Sequence, residues 1–537
     1  MRVLVKYGLD YFVDRSKAGF LLKIKKGTGN YQKLTAPERL RLALEELGPT
    51  FVKFGQILST RPDFLSPAFI KELEKLQDRV PPFSSFQAQK IIEAELNKPL
   101  EKLFKKFEDK PVAAASLSQV HKAILPNNEV VAVKIQRPSI EEIIALDIGI
   151  LENLAGFLEN RFYKNWIYQP KLMVAEIKKA IKREIDFTNE AHNFEKFRTN
   201  FKDIEYVKVP KIYWEMTTAK VLTMEFIKGT RINEITQDKY KDIFDAKKVA
   251  EQGAQAILKQ ILEDGFFHAD PHPANLFIQP PATIVMLDVG MVGYLDETTT
   301  INGAKLLQAV VDRNLDQALR SLENLGVIIE EFDRNLLRQD LKELFDRYLG
   351  VPLKNLEINK VSQDILEVMA RHNLVLPANL VLMLKALSMV ETTGRQLDPD
   401  FDMASAARPF VKKLLRKRFA PEEVLKRGGI VLQESVELAE HLPQDLLDIL
   451  RKIKEGKLKF NFEHRGLKKF TREIERSSNR LSFSLIIAAL IIGSSLVLQQ
   501  QVGPFIFGYP AIGIIGYLIA SFFGLFLIIS ILRSNKL

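Results

Sequence analysis

The most extreme pattern along the chain is residues 481–532, a stretch without a single Asp, Glu, Lys, Arg or His. Polar and turn residues break it once, at Gln499, Gln500, Gln501, Gly503, Pro504, Gly508 and Pro510. As helices, the two apolar runs that remain, 481–498 and 511–532, would reach ~27 and ~33 Å, enough to cross the hydrocarbon core of a bilayer. A buried hairpin of a soluble core needs neither that length nor the cations framing it. Arg465, Lys468, Lys469, Arg472, Arg476 and Arg480 precede the first run, Arg533 and Lys536 follow the second, and the loop between is uncharged. The pattern predicts a two-span anchor in the cell membrane with both termini and the soluble part cytoplasmic. Ala489 with Gly493, and Gly516 and Ala520 with Gly524, recur at four-residue spacing and predict small faces on which the two helices approach closely.

Upstream the patterns are those of a globular protein. Residues 129–136 form a β-branched run with one cation, Lys134, inside it, which predicts a buried strand delivering an ammonium to a specific anion. Leu306, Leu307, Val310, Leu315, Leu319 and Leu322 recur at helical spacing, as do Leu341, Leu344 and Phe345, and these stripes read as core rather than cofactor contacts. Residues 411–480 are helical in pattern and carry Lys412, Lys413, Arg416, Lys417, Arg418, Arg451, Lys452, Lys454, Lys457 and Lys459. Beside a membrane hairpin this predicts a surface lying against anionic phospholipid, with a solvated helical face as the alternative.

Composition narrows the class. A chain of 537 residues allows about three or four units at a prior of roughly 150 residues each. Its 46% hydrophobic and 27% charged residues exclude a disordered chain. The net charge of +10 suits an anionic partner. Nucleic acid is disfavoured, because the chain is tethered and no aromatic residues interleave the cations. With Cys 0 there is no disulfide, thiolate nucleophile or cysteine metal site. Residues 1–17 carry charges too regularly spaced for a secretory signal.

The chemistry concentrates in three places. Lys134 is costly to bury without a partner. Further on, Asp270 and Asn275, and then Asp288, stand around two short apolar runs, 276–278 and 283–287. Asp and Asn are the hard oxygen ligands that Mg²⁺ requires, and a carboxylate can orient or deprotonate an attacking hydroxyl.

In order and spacing these residues resemble protein kinases. His268-Ala269-Asp270 with Asn275 fits the catalytic-loop pattern H-x-D-x-x-x-x-N, and Asp288-Val289-Gly290 fits the metal-binding D-x-G after it. Val131-Ala132-Val133-Lys134 matches the V-A-x-K strand, and residues 221–229 look like the hinge strand. Where a Gly-rich phosphate loop belongs, the chain reads Ala113-Ala114-Ala115-Ser116, whose alanines cannot reach positive φ as readily as glycine. Upstream stand Lys53, Gly55 and Gln56 in a K-x-G-Q motif, and Glu184 with Asp186 in an E-x-D motif. Together these features resemble the UbiB family of atypical kinases, also called ADCK or AarF-domain proteins, over roughly residues 38–300.

The resemblance implies an ATP- and Mg²⁺-binding phosphotransferase or ATPase. Lys134 would bind the phosphates and pair with Glu190, Ala113, Ala114, Ala115 and Ser116 would cover them, and Glu225 and Ile227 would hold adenine through their backbone. Asn275 and Asp288 would hold Mg²⁺, and Asp270 would be the catalytic-loop carboxylate. Lys53, Gly55 and Gln56 would belong to a regulatory extension folded over the site, facing Glu184 and Asp186. Lys53 and Gln56 sit at i and i+3 on one face of a helix expected between Pro49 and Pro62. Taken alone, Lys53 and Glu184 would read as a surface ion pair. His268 and His272 lack a third ligand at zinc spacing and read as structural. Ala269 replaces the catalytic-loop arginine, and no A-P-E segment follows Asp288, so activation-loop phosphorylation and peptide docking are not expected.

The predicted fold is α+β, a bilobal protein-kinase-like fold. Its units would be a helical extension (1–110), an N-lobe with a helical insert after Ser139 (111–229), a helical C-lobe (230–410), a basic amphipathic region (411–480) and two transmembrane helices (481–532). The resemblance alone points to a role in polyprenyl-quinone biosynthesis, with quinone-pathway enzymes or lipid precursors as partners. A small-molecule kinase of the aminoglycoside or choline type and a silent, nucleotide-gated lipid-binding scaffold remain open.

Overall fold

The computed structural model describes residues 34–59, 65–162, 170–311, 314–325, 333–348, 357–418, 467–500 and 504–534, together with Val3, Lys6, Tyr7 and Lys454, and apart from residues 66, 74, 77–79, 241, 373, 375 and 507. Most of the basic segment 411–480 therefore lies outside the described residues. The chain divides into two compact units, Met1–Leu425 and Lys426–Leu537.

In the first unit the chain forms helices α1 (Ala36–Leu47), α2 (Pro49–Ser59) and α3 (Pro67–Leu73). Thr35 and Glu38 form a reciprocal capping box that starts α1. Pro49 occupies the first position of α2, where a missing N–H costs nothing. Helices α4 (Ser85–Leu96) and α5 (Leu100–Leu103) follow.

A five-stranded sheet comes next, built from β1 (Lys106–Phe107), β2 (Ala113–Ala114), β3 (Ser118–Ile124), β4 (Val130–Gln136) and β6 (Val221–Glu225), in the order β1-β3-β4-β6 with β2 beside β3. It reaches back to Lys106, inside the segment expected to be helical extension, because the Lys105 and Glu108 amides bond to the carbonyls of Ile124 and Lys122. Between β4 and β6 come α6 (Ile140–Phe162), α7 (Pro170–Ile185) and α8 (Phe187–Asn200).

A second sheet, ordered β5-β10-β9-β7, is made of β5 (Val207–Lys208), β7 (Thr230–Arg231), β9 (Leu276–Gln279) and β10 (Thr283–Met286). A third pairs β8 (Phe266–His268) with β11 (Val292–Tyr294). The helices of the second lobe are α9 (Ala246–Lys259), α10 (Glu297–Val311), α11 (Leu315–Asn324), α12 (Arg334–Tyr348), α13 (Ile358–Arg371), α14 (Ala378–Leu397) and α15 (Met403–Arg418). The expected stripe residues Leu319, Leu322, Leu341 and Phe345 are buried there.

Two apolar clusters position the site. Phe187, Phe194 and Phe197 of α8 pack with Phe266 of β8 and with Met286 and Val289. Each such side chain contributes about 1.5–3 kcal/mol by leaving water. The cluster fixes α8 against the strands on either side of Asp270 and Asn275. In the helical lobe α9 and α14 share a core containing Ala254, Ile257, Ile261, Phe267, Ala269, Val381 and Ala386.

In the second unit α16 (Leu467–Gln499) and α17 (Ala511–Ser534) form a hairpin, joined through the two-residue strands β12 (Phe505–Ile506) and β13 (Tyr509–Pro510). Ser477–Gln499 and Ala511–Ile528 are long and apolar enough to cross a membrane. The contact seam differs in part from the expected one. A Cβ on Gly516 would lie 2.1 Å from Ser494 Oγ and one on Gly513 2.7 Å from Leu498 Cγ, while Ala520 is buried. Gly493 and Gly524 face open space and Ala489 is exposed. At 100° per residue, the small buried Ser494 turns toward α17 and carries its neighbour Gly493 away from it.

Candidate nucleotide-binding site

Strand β4 pairs with β3 and β6 along its length, which fixes Lys134 opposite Val120 and Leu222. Its ammonium donates to Glu190 Oε1 at 2.8 Å and Oε2 at 2.7 Å, and reaches Asp288 Oδ2 at 3.4 Å. Phe187 lies 5.3 Å beneath it as a cation–π partner. Glu190 is buried on the first turn of α8, whose N-cap is Asp186. The expected Lys53–Glu184 ion pair is present, and Glu184 is close enough to act electrostatically on both Lys134 and Glu190.

Charge balance sets the protonation states. Burial disfavours the Lys134 ammonium, but Asp288 and Glu190 outweigh it and hold its pKa above the usual lysine value. Burial pushes the Glu190 carboxyl up to about 7, with Asp288 and Glu184 adding to the rise and Lys134 opposing it. Burial acts upward on Asp288 too. Lys134, the Gly290 N–H and Lys53 prevail there and pull it down to about 2. Asp288 is therefore ionised at neutral pH, with its side chain 46% exposed.

Its Oδ1 accepts from Gly290 N at 3.0 Å, and Asn193 of α8 donates to Val289 O at 2.9 Å, tying the D-V-G turn to the Glu190 helix. Asp270 follows β8. Its amide donates to His268 Nδ1 at 3.2 Å, and Gln260 Oε1 accepts from His268 N at 2.8 Å. Burial lowers the His268 pKa, consistent with a neutral ring accepting a backbone N–H. His272 likewise accepts from Ala274 N, so both histidines serve the loop backbone. Asn275 Nδ2 approaches Asp270 O at 3.4 Å, which leaves its amide oxygen for other use.

Ala113 and Ala114 pair with Val120 and Gln119, and the Ala115 amide closes the turn on Ser118 O at 2.8 Å. None of residues 113–117 takes a positive φ. Arg137 pins this turn by donating to Ala115 O and Pro81 O, both at 2.9 Å. Ser116 is buried beneath it. Glu225 ends β6 opposite Val131, and the last cross-strand amide is Phe226 N to Val130 O at 3.1 Å; Ile227 beyond it is buried.

Part of the expected extension geometry is different. Gly55 does not face the carboxylates. It lies against Leu76 and Leu44, where a Cβ would come within 2.3 and 2.9 Å of their Cδ1 atoms. Gln56 donates to Leu76 O at 3.2 Å. Asp186 turns back to accept from Thr188 N at 3.0 Å and Oγ1 at 2.6 Å, as a helix cap does. Of the K-x-G-Q side chains, Lys53 reaches the E-x-D segment, through Glu184.

The donor set suits magnesium bound through phosphate. Among the described residues no three His, Asp or Glu side chains gather as a self-contained metal site. Asp288 and the Asn275 oxygen are hard ligands too few to hold Mg²⁺ alone, and Mg²⁺ ordinarily completes its shell with phosphate oxygens and water.

Three family descriptions match the chain: ABC1 atypical kinase-like domain over residues 75–322, UbiB helical domain over 341–402, and ABC1/UbiB kinase-like C-terminal domain over 465–533. A probable protein kinase UbiB of Marinobacter nauticus is 35% identical, covering 93% of this chain and 92% of its own. The chain belongs to the ABC1/UbiB family of atypical kinase-like proteins. Another probable protein kinase UbiB, from Pseudomonas aeruginosa, is 35% identical over 84% of this UbiB-type chain and 86% of its own. An uncharacterised protein from the hydrogenase 1 5′ region of Clostridium pasteurianum is 34% identical over 100% and 98%.

Sequence reasoning missed four residues that shape this UbiB-type site. Arg137, Asn193 and Gln260 bond to backbone groups, a use that residue type does not announce. The fourth, Lys385 of α14, lies 3.5 Å from Asp270 Oδ1. Its signal was available, as a lone cation inside the apolar run 380–390.

Proposed function

We propose that this protein is a membrane-anchored atypical kinase or ATPase of the UbiB type that binds MgATP and supports polyprenyl-quinone biosynthesis. The observation carrying the nucleotide reading is the meeting of Lys134, Glu190 and Asp288 within 3.4 Å, from three separate elements. Glu190 holds the Lys134 ammonium toward the phosphates. The turn at Ala113, Ala114, Ala115 and Ser116 covers them, and the backbone from Glu225 to Ile227 receives adenine. Asn275 and Asp288 hold Mg²⁺, which when bound neutralises charge on the β- and γ-phosphates. Asp270 orients the acceptor oxygen and takes its proton.

Only residues 291–296 separate the D-V-G turn from α10, and they include β11. That leaves no long activation segment for a peptide, which favours water or a small hydroxyl compound as acceptor. The quinone assignment rests on the names of the UbiB relatives. The two apolar helices serve as the anchor, and the cations flanking them support a topology with both ends on the cytoplasmic side, against anionic phospholipid. Quinone-pathway enzymes or lipid precursors are the partners this role would require.

Full-length protein in nanodiscs containing anionic lipid should turn over ATP, faster with a phenolic quinone precursor than without. Lys134→Ala should abolish that turnover. Equal rates for wild type and Lys134→Ala would defeat the reading.

A further inference from the structure

Helix α14 presents its apolar face to the core of the second lobe, with Val381 and Ala386 fully buried. From that same helix Lys385 extends its side chain, 18% exposed, toward the catalytic-type loop. Among the described residues its one ion-pair partner is Asp270, whose side chain is 32% exposed. The separation of 3.5 Å is long for a charge-assisted hydrogen bond, which ordinarily closes to about 2.7–2.9 Å. The side chain is mostly covered along its stem, and this single loose contact leaves the ammonium free to donate to a further anion.

The opposite side of the site shows the contrast. Lys134 donates two short bonds to Glu190 and a longer one to Asp288. Lys385 retains donor capacity, and it stands beside the one carboxylate that the proposed function assigns to the acceptor oxygen. The loop itself, residues 268–275, contains no lysine or arginine. A cation on the acceptor side must come from elsewhere in the fold, and α14 supplies it.

We infer that Lys385 is a further catalytic residue, whose ammonium contacts the phosphoryl group while it passes from ATP to the acceptor. In that step the acceptor oxygen, of water or of a hydroxyl compound, bonds to the γ-phosphorus as the bond to the bridging oxygen breaks. ADP leaves with that electron pair, and the acceptor proton passes to Asp270. The charge on the equatorial oxygens then lies between Lys134 on the nucleotide side and Lys385 on the acceptor side. A cation fixed in advance at that place stabilises the transition state without strengthening ground-state nucleotide binding. The inference rests on the nucleotide reading of the site.

The test measures two quantities on full-length protein in nanodiscs: affinity for MgADP with and without aluminium fluoride, a mimic of the phosphoryl group in transit, and ATP turnover. Wild type should bind MgADP and bind it more tightly with fluoroaluminate. Lys385→Ala and the length-preserving Lys385→Gln should keep MgADP affinity within about twofold and lose the fluoroaluminate gain, with turnover falling about 10²-fold. Lys385→Arg should recover part of both, as a merely structural position would not. Retention of the fluoroaluminate gain and of turnover in folded Lys385→Gln would overturn the role of Lys385 and leave the nucleotide reading intact. Absence of MgADP and MgATP binding in wild type would instead overturn the nucleotide reading, and this inference with it.

Discussion

Lys134 finds its carboxylates 56 and 154 positions away along the chain, whereas Ser494 and Gly516 meet across one short connection between two apolar helices. The first region spends few residues and makes each depend on a partner far off in sequence. The second spreads its stability over many equivalent apolar side chains. Loss of a single group should therefore act very differently in the two places. A buried charge left without its partner carries a full desolvation cost, while a hairpin seam can shift to accommodate a small change.

The largest effect is expected at Lys134. Lys134→Met leaves Glu190 buried beside Asp288 with no cation between them, and breaking such a pair typically costs about 3–5 kcal/mol. Adding Glu190→Gln should restore much of that loss in denaturant unfolding, since both charges then disappear together. If the double variant is no more stable than the single one, the site is not held by this pair.

A smaller effect is expected in the hairpin. Gly516→Leu places a side chain where Ser494 already stands, at an overpacking cost of about 1–3 kcal/mol, whereas Gly524→Leu enters open space. Because the chain contains Cys 0, cysteines introduced at Ser495 and Tyr517, whose hydroxyls bond at 2.5 Å, report the seam without background. Crosslinking should fall in the Gly516 variant and persist in the Gly524 variant. The reverse would place the seam on the other face.

The smallest effect concerns a charged cluster at helices α12 and α13. Asp340 accepts from His372 at 2.9 Å and Arg371 at 3.0 Å, and these hydrogen bonds, His372 first, hold its carboxyl below the usual 3.8. A depressed carboxyl stabilises the fold above its unfolded pKa, so the contribution is present above pH 3.8 and lost as pH falls through the lower folded value. Asp340→Asn should cost about 1 kcal/mol at neutral pH and make stability less sensitive to acid in that window. An unchanged acid limb would assign the depression to other carboxylates.

Most of the site and the hairpin were legible because their signals are local: a cation inside a strand, a carboxylate in a spaced motif, an apolar run without charge. What stayed hidden depends on rotation and on distant contacts. Lys53 and Gln56 share a helix face, yet the packing of Leu76 against Gly55 takes Gln56 to a backbone carbonyl while Lys53 continues to Glu184. Asp186 carries the motif's second carboxylate, and the start of α8 claims it as a cap. In the hairpin, spacing found Gly516 and Ala520 but also singled out Gly493 and Gly524, and the rotation of α16 put Ser494 rather than Gly493 at the contact. Lys385 illustrates the remaining difficulty, since a lone lysine in an apolar helix looks the same whether its head reaches solvent or a catalytic loop.

The most direct measurement is nucleotide affinity of the full-length protein with Mg²⁺ and with a chelator, for wild type and Asp288→Asn. Wild type should bind ATP at least about tenfold more tightly with Mg²⁺, and Asp288→Asn should lose that difference, because Asp288, the ionised carboxylate beside Lys134, is the proposed metal ligand. Mg²⁺-independent binding in wild type, or an Asp288→Asn variant with the wild-type response to Mg²⁺, would contradict the convergence of these residues on one triphosphate.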